Sequence, residues 1–426
     1  MAATPQNPCS GLTPGGHSGL PFETVALVLQ GGGALGSYQA GVYEGLASAG
    51  IEPNWVAGIS IGALNTAVIA GNAPEMRVQR LHEFWETICR PAVPWPHLEW
   101  MQTFLDHSGS ETRRVLSAFA AWRAIVQGQR DFFVPRGLSP WLGGQQSVLN
   151  SSFYDTTELK STLERFVDFD RINFGDMRVS VGAVNIRTGN FEYFDNTCQP
   201  NVKGLKPEHF MASAALPPGF PAVEIEGEFY WDGGLVSNTP LYHVLSASPR
   251  RNTIAFQVDL WSARGLIPVN VYEVQERQKD IQFSSRTRAI TDFMATMQHY
   301  RRMLREVLKQ VPPEIRATEK WCKEAQEIAC EGQFTVIQMI YQDKEWEGLA
   351  KDYEFSPETM HDHWLTGLLD IKRTLSHEAW LQLPPHGKEF MAYDLHVDAT
   401  IKAPDPAEQS PPRFSPHRPW QSSTEN

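Results

Sequence analysis

A serine between two glycines, Gly58-Ile59-Ser60-Ile61-Gly62, sits where an apolar run gives way to an alanine-rich one. The pattern G-x-S-x-G at a strand-to-helix turn is a nucleophile elbow, in which the sharp turn lifts the serine hydroxyl clear of the backbone. A serine hydroxyl attacks poorly until a partner takes its proton. The candidate base is Asp232 in Asp232-Gly233-Gly234, which closes the apolar run Phe229-Tyr230-Trp231. An aspartate with an ordinary pKa of about 3.9 is a weak base, and desolvation beside Trp231 would raise it. Asp-Gly is also a common turn dipeptide, so the aspartate needs the company of the serine to carry this meaning.

A second glycine cluster precedes the serine: Gly31-Gly32-Gly33-Ala34-Leu35-Gly36. It satisfies G-x-G-x-x-G, the dinucleotide fingerprint, which also requires an acidic residue at the end of the second strand for the ribose. Here the second strand ends in the Ser60 elbow, and Glu52 lies before that strand. The nucleotide reading fails on that point. The same backbone physics suits another anion: adjacent glycines let amide N–H groups converge at a helix N-terminus. Gly31, Gly32 and Gly33 are then candidates for an oxyanion hole that stabilises charge on an attacked acyl carbonyl.

Taken together, the glycine loop, Ser60, the block Ala212-Ser213-Ala214-Ala215-Leu216-Pro217-Pro218-Gly219-Phe220-Pro221 and Asp232-Gly233-Gly234 resemble the patatin-like lipid acyl hydrolases, in the same order over residues 24–240. The resemblance implies a Ser60–Asp232 dyad without histidine, supported by Gly58, Gly62, Gly233 and Gly234. It also implies a three-layer α/β/α fold with a mostly parallel sheet, and hydrolysis of lipid acyl esters with no cofactor and no metal. The C-terminal part looks like an extension found in one bacterial branch. One position departs: Leu35 stands where the family usually places Arg or Lys, which weakens the case for an anionic phospholipid and gives neutral acylglycerols, short-chain esters and hydroxyacyl oligomers equal standing.

Two other readings compete. A Ser-Asp-His triad would recruit one of His361, His363, His386 or His396, all downstream of Asp232. His361-x-His363 as a metal pair lacks a third ligand. A non-catalytic lipid-binding scaffold would have no need of an intact serine, aspartate and glycine loop.

The elements that position these groups follow from periodicity. Apolar runs at 25–29 and 55–58, separated by a helical stretch to about residue 50 and followed by another at 63–70, make a βαβ unit and hence a parallel sheet. Further strands are expected at 179–186, 191–194, 223–231, 253–258 and 334–341. Residues 75–150 interrupt the pattern with helical, aromatic sequence. Of 13 tryptophans, Trp85, Trp95, Trp100, Trp122 and Trp141 fall there, with Phe104, Phe119, Phe132 and Phe133, so this insertion is a candidate lid over Ser60 as well as a candidate subdomain core. The expected organisation is an N-terminal tail (1–21), a catalytic domain (22–264), a mainly helical extension (265–400) and a Pro-rich tail (401–426). In the extension, residues 290–311 form an amphipathic helix with Arg301, Arg302, Arg305 and Lys309, read as a docking helix with a solvated basic face.

Across 426 residues, 37 Lys and Arg face 49 Asp and Glu, a net charge of −12 that disfavours a nucleic-acid surface. Cys9, Cys89, Cys198, Cys322 and Cys330 are odd in number with no C-x-x-C pair, which argues against a disulfide framework. With no signal-like start in residues 1–21 and no run of about 20 apolar residues, the expected compartment is the cytoplasm, with peripheral contact at a membrane left open. The oligomeric state is not legible.

Overall fold

The computed structural model describes residues 19–90, 110–137, 147–197, 204–284, 287–329, 332–385 and 387–398. Trp95, Trp100, Phe104, Trp141 and His386, singled out above, lie outside the described residues, as do the tails.

Strands β1 (Thr24–Leu29), β2 (Trp55–Gly58), β5 (Arg178–Asn185), β6 (Phe191–Asp195), β7 (Val223–Ile225), β8 (Glu228–Asp232), β9 (Thr253–Asp259), β10 (Phe334–Ile340) and β11 (Phe390–Asp394) form one sheet in the order β11-β10-β9-β1-β2-β5-β8-β7, with β6 on the remaining edge of β5. A separate pair, β3 (Val134–Pro135) and β4 (Tyr154–Asp155), lies in the insertion. From β11 across to β5 every pairing is parallel; β6, β8 and β7 are antiparallel. Alternation in β1 explains the layers. Val25, Leu27 and Leu29 face one apolar cluster shared with helices α1 (Ser37–Ser48), α2 (Ile61–Ala70) and α3 (Arg77–Ile88). Ala26 and Val28 face another, shared with the helices Leu241–Ser246 and Thr287–Gln310. All six β1 residues are buried, as a parallel strand covered on both faces requires. The fold is a three-layer α/β/α sandwich.

The expected boundary at 264 falls just after β9, and the sheet continues across it: β10 pairs with β9 and β11 with β10. The helix Pro357–Leu375 lies along α1 so closely that a Cβ on Gly41 would come within 1.9 Å of the Trp364 carbonyl, and one on Gly367 within 2.0 Å of the Tyr38 carbonyl. Tyr38 also donates to Asp370 at 2.9 Å in this contact. The helix Thr287–Gln310 docks through buried Met294 and Leu308, while Arg302 and Arg305 reach Glu389 at 3.6 and 3.3 Å.

One expected strand resolves differently. Residues 223–231 are the hairpin β7–β8, turning at Glu226 (φ 51°) and Gly227 (φ 86°). Its apolar run hides the turn, because only one glycine marks it.

The glycine contact between α1 and the helix Pro357–Leu375 yields a stability test. Gly367→Val is expected to cost about 1–3 kcal/mol by overpacking, read as a lower urea midpoint. Gly348→Ala, where an added Cβ meets nothing within 4 Å, should leave the midpoint within about 0.5 kcal/mol of the parent.

Candidate active site

Strand β5 brings the two reacting side chains together. β2 pairs with β5 over Arg178 to Val181, β8 pairs over Ala183 to Asn185, and β6 pairs over Ser180 to Val184. Because β6 overlaps both of the others, it takes one edge of β5 and leaves β2 and β8 to share the opposite edge. β2 arrives parallel and ends at Gly58 opposite Val181; β8 arrives antiparallel and ends at Asp232 opposite Ala183. The two strand ends meet head-on, and the serine after one reaches the carboxylate of the other.

Ser60 has φ 55° and ψ −125°, a conformation that costs a non-glycine residue on the order of 1–3 kcal/mol and marks a site where the surroundings impose it. The flanking glycines permit it by close approach: a Cβ on Gly58 would lie 2.3 Å from the Gly62 carbonyl, and one on Gly62 would lie 2.4 Å from that of Leu29. The buried Ser213 hydroxyl pins the elbow from below, accepting from the Ser60 N–H at 3.1 Å and donating to the Gly182 carbonyl at 2.7 Å. Sequence reading noted Ser213 within a block and assigned it no task; its small hydroxyl between a serine and a strand carries no local signal.

Asp232 is 1% exposed. Burial pushes its carboxyl up to about 7, against the opposing pull of hydrogen bonds from the Ser60 hydroxyl and the Gly234 N–H; the latter is 2.7 Å from Oδ1. A carboxylate raised this far is a base matched to neutral pH, close enough to the Ser60 hydroxyl to feel its pull. Gly233 gives the room for this: a Cβ there would meet the Gly182 carbonyl at 2.6 Å.

The glycine loop stands across from Ser60. Gly31 is clamped by Asn238, whose carbonyl accepts the Gly31 N–H at 3.3 Å and whose Nδ2 donates back to the Gly31 carbonyl at 3.0 Å. With its amide so engaged, Gly31 sets the loop's position, while the amides of Gly32 and Gly33 take no partner among the described residues. Gly33 requires glycine, with φ 58° and the Asp352 carbonyl 2.2 Å from where its Cβ would be. Fully buried Gln30 fixes the loop's entry: its Oε1 accepts from the amides of Leu260 and Trp261 at 2.6 and 3.0 Å, and its Nε2 donates to Thr239 at 3.0 Å. Gln30 and Asn238 were both missed by sequence reading, since their partners lie some 200 residues away along the chain.

Ser60 and Asp232 open into a cavity lined mostly by apolar and aromatic side chains, the usual make-up of a small-ligand site. Phe132, Phe133, Tyr154 and Phe220 pack edge-on along one side; Trp261, Phe283, Tyr353 and Phe355 close another. The insertion contributes Phe132 and Phe133 to the wall, whereas its described tryptophans stand elsewhere. Trp85 is in the core, donating to Asn65 at 2.9 Å, and Trp122 is exposed. Leu35 is fully buried, and Asp232 and Asp352 are the only charged side chains among the lining residues described. None of the described histidines lines the cavity. His363 is buried against Glu347 at 2.5 Å, His361 is exposed, and His396 lies 3.8 Å from Asp370. Among the described residues no histidine, cysteine and carboxylate group is arranged to hold a metal.

The family model for patatin-like phospholipase matches residues 27–245, and a second model described as patatin phospholipase matches residues 281–387. No curated protein matches the chain significantly. Among solved structures, VipD from Legionella pneumophila aligns with 13% identity and a TM-score of 0.33, covering 83% of this chain and 67% of its own.

Two outcomes follow from the site. If Asp232 works as the base, kcat/KM for ester hydrolysis climbs tenfold per pH unit below about 7 and levels above it; an inflection near 4 would contradict a buried, neutral-prone carboxyl. Ser213→Ala strands two buried polar groups, a cost of about 1–3 kcal/mol, and is expected to lower kcat by about 10- to 100-fold in steady-state kinetics while the protein stays folded by circular dichroism.

Proposed function

The chain belongs to the patatin-like phospholipase family, and on that footing we propose that it is a serine acyl hydrolase working through a Ser60–Asp232 dyad. The observation that carries the reading is the meeting of the Ser60 elbow with a buried carboxyl, raised to about 7, at the ends of two strands that share one edge of β5. Ser60 Oγ attacks the acyl carbonyl as Asp232 takes its proton. The tetrahedral oxyanion is held by the amides of Gly32 and Gly33, with Ile61 at the start of α2 adding a third. The intermediate collapses, expelling the alcohol, which takes the proton from Asp232 and leaves Ser60 acylated. Water then attacks the acyl-enzyme, giving its proton to Asp232, and collapse returns that proton to Ser60 with release of the acid.

The cavity favours an uncharged, apolar acyl ester. Aromatic walls reward each added methylene by about 0.8 kcal/mol until the space is filled, and the lining holds two acids and no cation, with Lys279 behind it already paired to Asp352 at 2.5 Å, so a phosphate near the reacting centre would meet no unpaired counter-charge in the lining. We therefore assign neutral esters as the preferred class over anionic phospholipids. The enzyme's setting is proposed to be the cytoplasm, at the surface of its lipid.

On a panel of p-nitrophenyl esters and phospholipids of graded chain length, Ser60→Ala and Asp232→Asn should each lower kcat/KM by about 10³-fold or more. The parent should prefer neutral esters, rising with chain length to a plateau. Full activity in either variant would overturn the dyad, and a preference for anionic phospholipid would overturn the substrate class.

A further inference from the structure

Between β9 and the helix Val271–Ser284 the chain runs Leu266-Ile267-Pro268-Val269-Asn270-Val271-Tyr272. Its apolar side chains stand in water: Leu266 is 92% exposed, Ile267 88% and Val269 85%, with Val271 and Tyr272 also exposed. An isolated exposed leucine is ordinary; five apolar side chains held out along one short stretch are a patch that marks an interaction surface.

The backbone beneath them is pinned. Arg277 donates to the carbonyls of Ser262 and Ala263 at the base of the segment. Glu273 and Asn270 grip one another at its turn: Glu273 accepts from the Val269 N–H at 2.8 Å and the Asn270 side-chain amide at 2.6 Å, while Asn270 accepts from the Glu273 N–H at 3.0 Å. Polar groups thus fix the shape while the apolar groups point away from the protein. Arg264 is the only charged side chain between Leu260 and Tyr272.

The chain on either side of the segment returns to the cavity. Trp261, five residues before Leu266, lines it, and Phe283 near the end of the following helix lines it too. A neighbouring helix, Ser110–Gln127, lies close enough for Arg114 to act on the charge of Glu276. It exposes Val115, Trp122 and Val126 at a spacing that puts them on one stripe.

We propose that residues 266–272 form a docking hook that inserts its apolar side chains into a lipid surface and presents the cavity to the ester held there. The proposal rests on the acyl hydrolase reading for its choice of partner. A protein partner would need a complementary groove for side chains standing this far from the body, whereas a lipid surface deforms around any apolar projection. The near-absence of charge points to insertion below the head groups, with little dependence on salt.

The test is flotation of the full chain with phosphatidylcholine vesicles, using the parent, Ser60→Ala, a triple variant (Leu266→Ser, Ile267→Ser, Val269→Ser) and Phe174→Ser, which removes another highly exposed apolar side chain. The parent, Ser60→Ala and Phe174→Ser are expected to float alike. The triple variant should bind at least about tenfold more weakly. It should hydrolyse a soluble short-chain ester within about twofold of the parent, which also reports its folding, and hydrolyse the same acyl ester in vesicles at least about tenfold more slowly. The hook is overturned if the triple variant floats like the parent or if the parent does not float. It is also overturned if light scattering shows a dimer that the triple variant dissolves with flotation unchanged, which would make a second copy the occupant. Flotation that depends on the hook without hydrolysis of any ester would leave docking standing and remove the hydrolase reading instead.

Discussion

Everything at the reacting centre depends on one edge of one strand. β5 can offer β2 only its first half, because β8 claims the rest from the opposite direction, and β6 on the far edge holds the strand straight between them. Two chain segments separated by more than 170 residues therefore stop within two register steps of each other. No side chain has to search for its partner, since backbone hydrogen bonds set where both strands end. Ser213, Gln30 and Asn238 then remove the remaining freedom, fixing the elbow from beneath and the glycine loop at its entry and its first residue.

The cost of this arrangement is electrostatic. A carboxyl whose folded-state pKa stands above its unfolded value near 3.9 binds its proton more tightly in the native state. Its contribution to stability is thus most favourable below that unfolded value and declines as pH rises, until above about 7 the native state holds a desolvated anion. The strained backbone of Ser60 adds a second unfavourable term in the same place. Both are carried by the surrounding sheet and its close-packed helices, which places the least comfortable conformations where chemistry is done.

The sequence disclosed this centre unevenly, for physical reasons. Ser60, Asp232 and the glycine loop were legible because strand-turn-helix periodicity and close-approach glycines leave local marks. The parallel core was legible for the same reason, as in β1, where Val25 to Leu29 are all apolar because both faces are covered. What escaped was either non-local or locally ambiguous. Gln30 and Asn238 look like ordinary polar residues until their partners arrive from distant segments. The β7–β8 turn hid in an apolar run. Three glycines in a row look equivalent in sequence, and only the fold shows that the amide of Gly31 donates to Asn238. The tryptophan excess drew attention to the insertion, yet its phenylalanines reach the cavity while Trp261, an unremarked residue after β9, supplies the indole there.

The path of the chain through the cavity wall bears on when the protein becomes an enzyme. Ser60 lies in the first seventh of the sequence, whereas Phe283, Tyr353 and Phe355 close the cavity around it and β11 completes the sheet near residue 390. A ribosome emitting this chain releases the nucleophile early and its enclosure late. Until the helix Pro357–Leu375 has settled onto α1, the helix that springs from the glycine loop, the loop lacks its outer support and the acyl site lacks a wall. Maturation is thereby written into the order of synthesis: a half-made chain carries the Ser60 elbow without the walls that enclose it.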